Sequence, residues 1–366
     1  MRIEPVSRLL QLLSGLLIRH GIAKDHRPPR PDDISSILVV ALDGVGDMVI
    51  TTPIFRELRL RFPDARIEVI ADRRNVDLVR HNPHLDRVHA NNRRKHFGKN
   101  RALLRTMREL RYDVIIDLSA RLSMSRLRFL LSLNADTMIG IRKDRKVEHR
   151  LGLRTDQLRV YSHVFGADQG EHTRERILDV MGYFGHQPSS KDYELHYGEA
   201  GRAKVEAFRA QIGAGPVIGI AYGGTRRANT FGPVQLREMV ARILTSSDAT
   251  VVLLYGPRQR AQADRIVSDV GNPRFWLSPE ADLLELAAVI DLCTVIVTPS
   301  TGAMHIGCAL GKGIVSVQPD QHIYHVFGPI SSGGCRIVHS ESDEDIADFD
   351  IDEAVRAAVD LMNGAG

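Results

Sequence analysis

Two successive series of short apolar runs, each alternating with helix-period segments, limit what this chain can fold into more than any other property. The first series is Ile37–Leu42, Arg66–Ala71, Arg87–Ala90, Tyr112–Leu118 and Thr137–Ile141; the second is Val217–Ala221, Ala249–Tyr255, Arg274–Leu277, Thr294–Thr298 and Gly313–Val317. Strands joined through helices pair in parallel, and parallel sheets need a helical layer on each face. The alternation therefore predicts an α/β chain of two Rossmann-like, doubly wound parallel-sheet domains. A length of 366 residues is long for one core and comfortable for two, and 43% apolar residues suffice to fill both. Expected boundaries are 1–34 for an amino-terminal segment, 35–190 and 191–345 for the domains, and 346–366 for a closing helix. The polar segment His186–Lys191 marks the start of the linker, and the helical pattern Asp350–Met362 is expected to pack back on the first domain.

The opening unit carries the sharpest local signal. Ile37 to Leu42 reads as a buried strand, Asp43-Gly44-Val45-Gly46 as a glycine turn, and Asp47 to Arg61 as an amphipathic helix that stops at Pro63. Asp47 thus falls at the carboxyl end of a strand, where open α/β sheets place their binding crevice. A carboxylate there can serve as a general base, or it can simply cap its helix. The turn lacks the third glycine of a dinucleotide fingerprint, since position 49 is Val, and no P-loop sequence occurs.

The formal charge of +4 resides at the amino terminus, where Arg2, Arg8, Arg19, Lys24, Arg27 and Arg30 face only Glu4 and Asp25. Leu9, Leu10, Leu12, Leu13, Leu16 and Leu17 crowd a short helix between Arg8 and Arg19, followed by the stiff spacer Pro28, Pro29 and Pro31. That pattern fits an amphipathic helix lying on a membrane surface, or one packed on its own domain. No small-residue cleavage site follows it, and no apolar run reaches the 18 residues or so of a spanning helix. Cys293, Cys308 and Cys335 have neither disulfide-framework nor zinc-site spacing, which suits a reducing compartment.

The pattern Leu42-Asp43-x-x-Gly46-Asp47-x-x-x-x-Thr52-Pro53-x-x-x-x-Leu58, continued by Phe62-Pro63-Asp64-Ala65 and by His81 to Val88, resembles glycosyltransferase family 9, the ADP-heptose:lipopolysaccharide heptosyltransferases. A second block, Asp291 to Lys312 with Thr301-Gly302-Ala303-Met304-His305 at its centre, is similar to the family's strand, Ser/Thr-Gly-x-x-His turn and donor-binding helix. The resemblance spans residues 36 to 340. It implies the GT-B fold, in which two Rossmann-like domains face a central cleft, and a metal-independent inverting transferase with Asp47 and His305 as its catalytic residues. It also implies a nucleotide-sugar substrate, with ADP-heptose the first expectation, and no cofactor or metal.

Physical chemistry supports the second block on its own terms. Thr301 and Gly302 follow an apolar strand and open a helix, so backbone N–H groups and the positive end of the helix dipole meet any diphosphate there. The dipole contributes roughly 0.3 to 2 kcal/mol, short of the ~8 kcal/mol of micromolar affinity, so further donors must join. His305 stands one turn into the same helix, as a phosphate or sugar contact or as a packed side chain.

The donor half also departs from the family pattern. Where the family carries a Pro-Gly-Ala turn and a phosphate-binding lysine, this chain reads Tyr222-Gly223-Gly224-Thr225-Arg226-Arg227-Ala228-Asn229, which places Asn229 at the lysine. The acidic residue that holds the ribose falls at Gln259, and the Asp before Ser/Thr-Gly is Ser300. Arg226 and Arg227 are candidates to replace the missing cation. The expected donor-binding set is accordingly Gly223, Gly224, Thr225, Arg226, Arg227, Asn229, Gln259, Ser300, Thr301 and Gly302.

Acceptor recognition is written more diffusely. Arg93, Arg94, Lys95, Lys99, Arg101, Arg105, Arg108 and Arg111 form one basic tract, and Arg142, Lys143, Arg145, Lys146 and Arg150 another. Such fields suit an anionic glycolipid, though they also occur as plain solvated surface. Nucleic acid is disfavoured because no stacking aromatics are interleaved. Gly46, Arg93, Arg94, Lys95 and Arg142 are the expected acceptor-binding residues. The expected setting is the cytoplasmic face of the bacterial inner membrane, in envelope-glycan synthesis. Alternatives are transfer of another sugar from another nucleotide, or a non-catalytic relative that binds an envelope glycan or a partner protein.

Overall fold

The computed structural model describes residues 30–91, 97–143, 155, 158, 160–166, 171–224, 227–256, 258–319 and 325–364. The chain divides into two compact units, Met1–Val76 with Asn82–Lys191, and Asp77–His81 with Asp192–Gly366. The main division falls just after the polar segment His186–Lys191. The basic, leucine-rich helix expected before residue 30 lies outside the described residues, and no described helix is long and apolar enough to cross a membrane.

The first unit is a six-stranded sheet of β1 (Ser36–Ala41), β2 (Arg66–Asp72), β3 (Arg87–Asn91), β4 (Arg111–Asp117), β5 (Asn134–Ile141) and β6 (His163–Phe165), in the order β3-β2-β1-β4-β5-β6. Each neighbouring pair is parallel, with Val40 opposite Ile70 on one side and Asp117 on the other. β1 is buried along its whole length because helices cover both faces. The chain leaves β1 toward β2 and returns to β4 on the opposite side, so β1 and β4 bracket the topological switch point, where such sheets bind ligands.

The second unit repeats that plan. β7 (Val217–Ala221), β8 (Thr250–Leu254), β9 (Phe275–Leu277), β10 (Val295–Pro299), β11 (Gly313–Pro319) and β12 (Cys335–Ser340) are ordered β12-β11-β10-β7-β8-β9. Its switch point is the β7/β10 pair, with Val297 opposite Ile220. Strands β6 and β12 have no counterpart in the sequence reading. Both are sheet edges, and only Val338 and Ser340 of β12 are buried, so neither presents the continuous apolar run of an inner strand.

Two helices differ from expectation. The helix Val45–Arg61 is not amphipathic in its first half, since Met48 to Phe55 are all buried. It accommodates Pro53 because Thr52 Oγ1 donates to the Val49 carbonyl at 2.8 Å, the acceptor that a proline nitrogen leaves empty. The helix Ile351–Met362 packs on the second sheet rather than on the first domain. Ala354, Val355, Ala358 and Leu361 form one stripe, and they join Val295, Val297, Val315 and Val317 in the core of that unit.

Candidate active site

In the first unit the β1 turn is held from several sides. Gly44 is the N-cap of the helix Val45–Arg61, and its N–H donates to Asp47 Oδ2 at 2.7 Å. Asp47 therefore does cap its helix, and it remains half-buried at the carboxyl end of β1. The two roles are compatible, because an N–H bond to one carboxylate oxygen favours the ionised form that a base requires. Asp43, one residue beyond Leu42, accepts from Ala120 N–H at 2.8 Å and from Arg126 Nη1 at 3.1 Å. That joins the loops after β1 and β4 across the switch point.

Beneath those loops lies a buried polar cluster that the sequence did not reveal. Lys143 Nζ donates to Asp117 Oδ2 at 2.8 Å and to the Ser119 carbonyl at 2.7 Å, and Tyr161 OH donates to the same carboxylate oxygen at 2.6 Å. Burial would raise the Asp117 carboxyl, yet the charges of Lys143 and Arg126 hold it below its usual range. Burial pulls the Lys143 amine below its usual range, and Asp117 opposes that pull. Lys143 was expected in a solvent-facing basic field. It is 1% exposed and serves the interior, because its amine reaches the end of β4. Periodicity could not distinguish it from Arg142, which is half-buried and whose N–H donates to the Phe165 carbonyl at 2.9 Å.

In the second unit the loops after β7 and β10 come together. Gly223 bridges Thr230, and Gly224 N–H donates to the Asn229 carbonyl at 2.8 Å, which closes a tight loop. Gly223 has φ +152, and a Cβ there would stand 2.5 Å from Thr230 Cα, so only glycine fits. A Cβ on Gly224 would reach Thr301 Cγ2 at 3.2 Å. Asn229 Nδ2 completes the link by donating to the Ser300 carbonyl at 3.2 Å.

Thr301 is the N-cap of the helix Gly302–Ala309 but makes no side-chain cap to it. Its hydroxyl instead lies 3.3 Å from that of Thr298, so no side chain of the cap residue occupies the first-turn N–H groups. Gly223, Gly224, Asn229, Ser300, Thr301 and Gly302 are thus gathered at one switch point. His305 is buried on the same helix, 6% exposed.

Gln259 stands apart from that group. It is the N-cap of the helix Arg260–Val270, and its Oε1 accepts from Gly256 N–H at 2.9 Å. The oxygen expected to receive the ribose hydroxyls is therefore engaged with the main chain. Arg227 opens a 3-10 turn through Asn229 and is exposed. Gly46 lies half-buried in the first turn of its helix. Arg93, Arg94, Lys95, Thr225 and Arg226 lie outside the described residues. In the first basic tract, Arg105 and Arg108 are exposed, whereas Arg111 pairs with Asp136.

Two units, each with a Rossmann-type strand order and with loops gathered at its switch point, define a protein of the two-domain nucleotide-binding class. The chain belongs to glycosyltransferase family 9 (heptosyltransferase), whose pattern matches residues 100–330. It is 24% identical to lipopolysaccharide heptosyltransferase 2 of Salmonella typhimurium over 300 residues, covering 77% of this chain and 82% of that protein. Among solved structures, a family 9 glycosyl transferase from Veillonella parvula superimposes with a TM-score of 0.75 at 17% identity, covering 90% of this chain and 98% of that one. The E. coli heptosyltransferase WaaC with ADP gives 0.69 at 16% identity, covering 89% and 99%. The chain is accordingly a glycosyltransferase, built on the GT-B fold of those structures.

Proposed function

We propose that this transferase moves a sugar, with heptose from ADP-heptose the first candidate, onto a lipopolysaccharide-core or related envelope glycan with inversion at the anomeric carbon. In this reading the acceptor hydroxyl oxygen attacks the anomeric carbon while Asp47 takes its proton. The bond from that carbon to the diphosphate oxygen breaks, and the nucleoside diphosphate leaves with the electron pair. The first-turn N–H groups of the helix Gly302–Ala309, with Thr301, Arg226 and Arg227, receive the developing charge, and His305 assists. The transfer then requires no metal, and activity should persist in excess chelator.

The observation that carries the proposal is the meeting of the β7 and β10 loops. A glycine-only turn at Gly223 and the Asn229 to Ser300 bridge bring that turn beside a helix start whose first-turn N–H groups take no cap from the Thr301 side chain, which suits a phosphate group. Calorimetry with ADP, GDP, UDP and their sugars tests it, and failure of all of them to bind at millimolar concentration would exclude this loop pair as the site of such a donor. Asp47→Asn should bind donor normally and lose about 10²- to 10⁴-fold in turnover.

A specific observation favours a second donor. Asn229 and Gln259 replace a cation and a carboxylate, and each has a side-chain amide committed to a main-chain partner. ADP contacts are weakened on both counts, so another nucleotide sugar is the reading to test beside ADP-heptose. For the acceptor, the exposed Arg105 and Arg108 with the neighbouring basic residues suit an anionic glycolipid at the inner face of the inner membrane. Deleting residues 1–30 should abolish sedimentation with anionic liposomes while donor binding persists.

A further inference from the structure

We infer that Asn75 is a positioning residue for the acceptor base, an assignment that rests on the proposed role of Asp47. Asn75 follows β2 and is fully buried. Its Nδ2 lies 3.0 Å from the Gly44 carbonyl and 3.3 Å from the Asp43 carbonyl. Two carbonyl partners fix the orientation of the amide, since only the nitrogen can donate. Gly44 is the residue whose N–H holds Asp47 Oδ2, and a Cβ on Gly44 would stand 2.8 Å from that oxygen. The carboxylate is therefore seated directly on a peptide that Asn75 immobilises.

The degree of restraint exceeds what a helix start requires. Ordinary capping satisfies the first N–H groups of a helix and leaves the preceding carbonyls to solvent or to the helix itself. Here three consecutive carbonyls each take a side-chain donor. Arg126 Nη2 reaches Leu42 at 3.0 Å, Asn75 and Arg74 Nη2 both reach Asp43 at 3.3 Å, and Asn75 reaches Gly44.

Asn75 makes these contacts while its buried Oδ1 has no hydrogen-bond partner among the described residues. The two donated bonds satisfy the Asp43 and Gly44 carbonyls and fix the turn in one arrangement, and a catalytic group must be held within about half an ångström of its working geometry. Among the described residues, the charged groups Arg74, Arg126, Asp43 and Asp72 are tied into this network by hydrogen bonds, and the Lys143 and Asp117 charges act on Asp43 and Arg126.

The test compares Asn75→Leu, Asn75→Ser and Asp47→Asn in the full chain. Donor affinity is followed by calorimetry, turnover with ADP-heptose and a phosphorylated lipid-A inner-core acceptor, and ionisation of Asp47 by carboxyl carbon NMR, the resonance being assigned by its loss in Asp47→Asn. Asn75→Leu should bind donor normally, lose about 10- to 100-fold in kcat, and titrate Asp47 at higher pH, because a loosened Gly44 N–H no longer favours the carboxylate. Asn75→Ser, which keeps one donor, should fall between. If Asn75→Leu does not fold, the serine variant carries the comparison alone. An unshifted titration of Asp47, or normal kcat in a folded Asn75 variant while Asp47→Asn is inactive, overturns the positioning role. Normal turnover in Asp47→Asn instead removes the base assignment itself.

Discussion

Asn229 and Ser300 are joined by a hydrogen bond of 3.2 Å between side-chain amide and main-chain carbonyl. They are also two of the three positions at which the chain departs from the pattern of its family. The bond depends on the Asn229 side chain and on the main chain of Ser300, the residue that follows β10. The bond fastens the β7 loop to the β10 loop without any charge at the position where the family resemblance places a lysine.

Asn229→Lys should restore a cation there at the expense of that bond. A charge-assisted hydrogen bond contributes about 1.5 to 3 kcal/mol, so the affinity for nucleoside diphosphates should rise roughly 10- to 100-fold in calorimetry. The gain should be equal for ADP, GDP and UDP, since a cation reads phosphate and not base. A gain confined to one base would show that position 229 contacts the nucleoside.

Acid should weaken the first unit through Glu57. Burial would raise its carboxyl, but the N–H groups of Ser189 and Ser190, the Ser189 hydroxyl and His186 lower it from 4.5 to about 2. A depressed carboxyl stabilises the fold above its ordinary range, and that contribution disappears as pH falls from about 4.5 through 2, roughly 3 kcal/mol in all. Urea midpoints measured between pH 6 and pH 3 should fall steeply for the wild type and more gently for Glu57→Gln.

Lys143→Met should leave the Asp117 carboxylate buried without its cation. Breaking such a pair costs about 3 to 5 kcal/mol, whereas replacing both partners is often neutral. The double variant Asp117→Asn/Lys143→Met should therefore recover most of the stability lost in Lys143→Met. Equal losses in the single and double variants would show that Tyr161 and Ser119, rather than charge, organise the cluster.

Of the three thiols, Cys335 should react first. Its hydrogen bond with Cys308 lowers the Cys335 thiol, and the same contact together with burial raises Cys308. Burial pushes Cys293 up to about 12. Mass spectrometry after brief iodoacetamide treatment should find Cys335 modified and Cys293 untouched, while the unfolded chain should label at all three. Preferential labelling of Cys308 would contradict the arrangement.

The inner strands were legible because each is buried on both faces and therefore apolar throughout, as β1, β7 and β10 are. β6 and β12 were not, because β6 is three residues long and β12 has only Val338 and Ser340 buried, so neither shows an apolar run. The glycine turn and the Thr301-Gly302 helix start were legible because each follows an apolar inner strand and opens a helix. Asn75, Arg126, Asp117 and Lys143 escaped detection for the opposite reason. Each contributes through partners dozens of residues away in sequence, and no local period records such a contact. The destination of the helix Ile351–Met362 was misread on similar grounds, since its apolar stripe announces that it packs but not against which sheet.

The three donor-side departures share one placement. Asn229 ends a 3-10 turn, Gln259 is a helix cap, and Ser300 follows the last residue of β10; none belongs to the hydrophobic core of the unit. If these three positions set nucleotide preference as proposed, donor choice can change without altering the core of the unit. A library randomised at these three codons leaves every residue of that core in place, which makes the scaffold a practical starting point for directed selection of sugar-transfer catalysts.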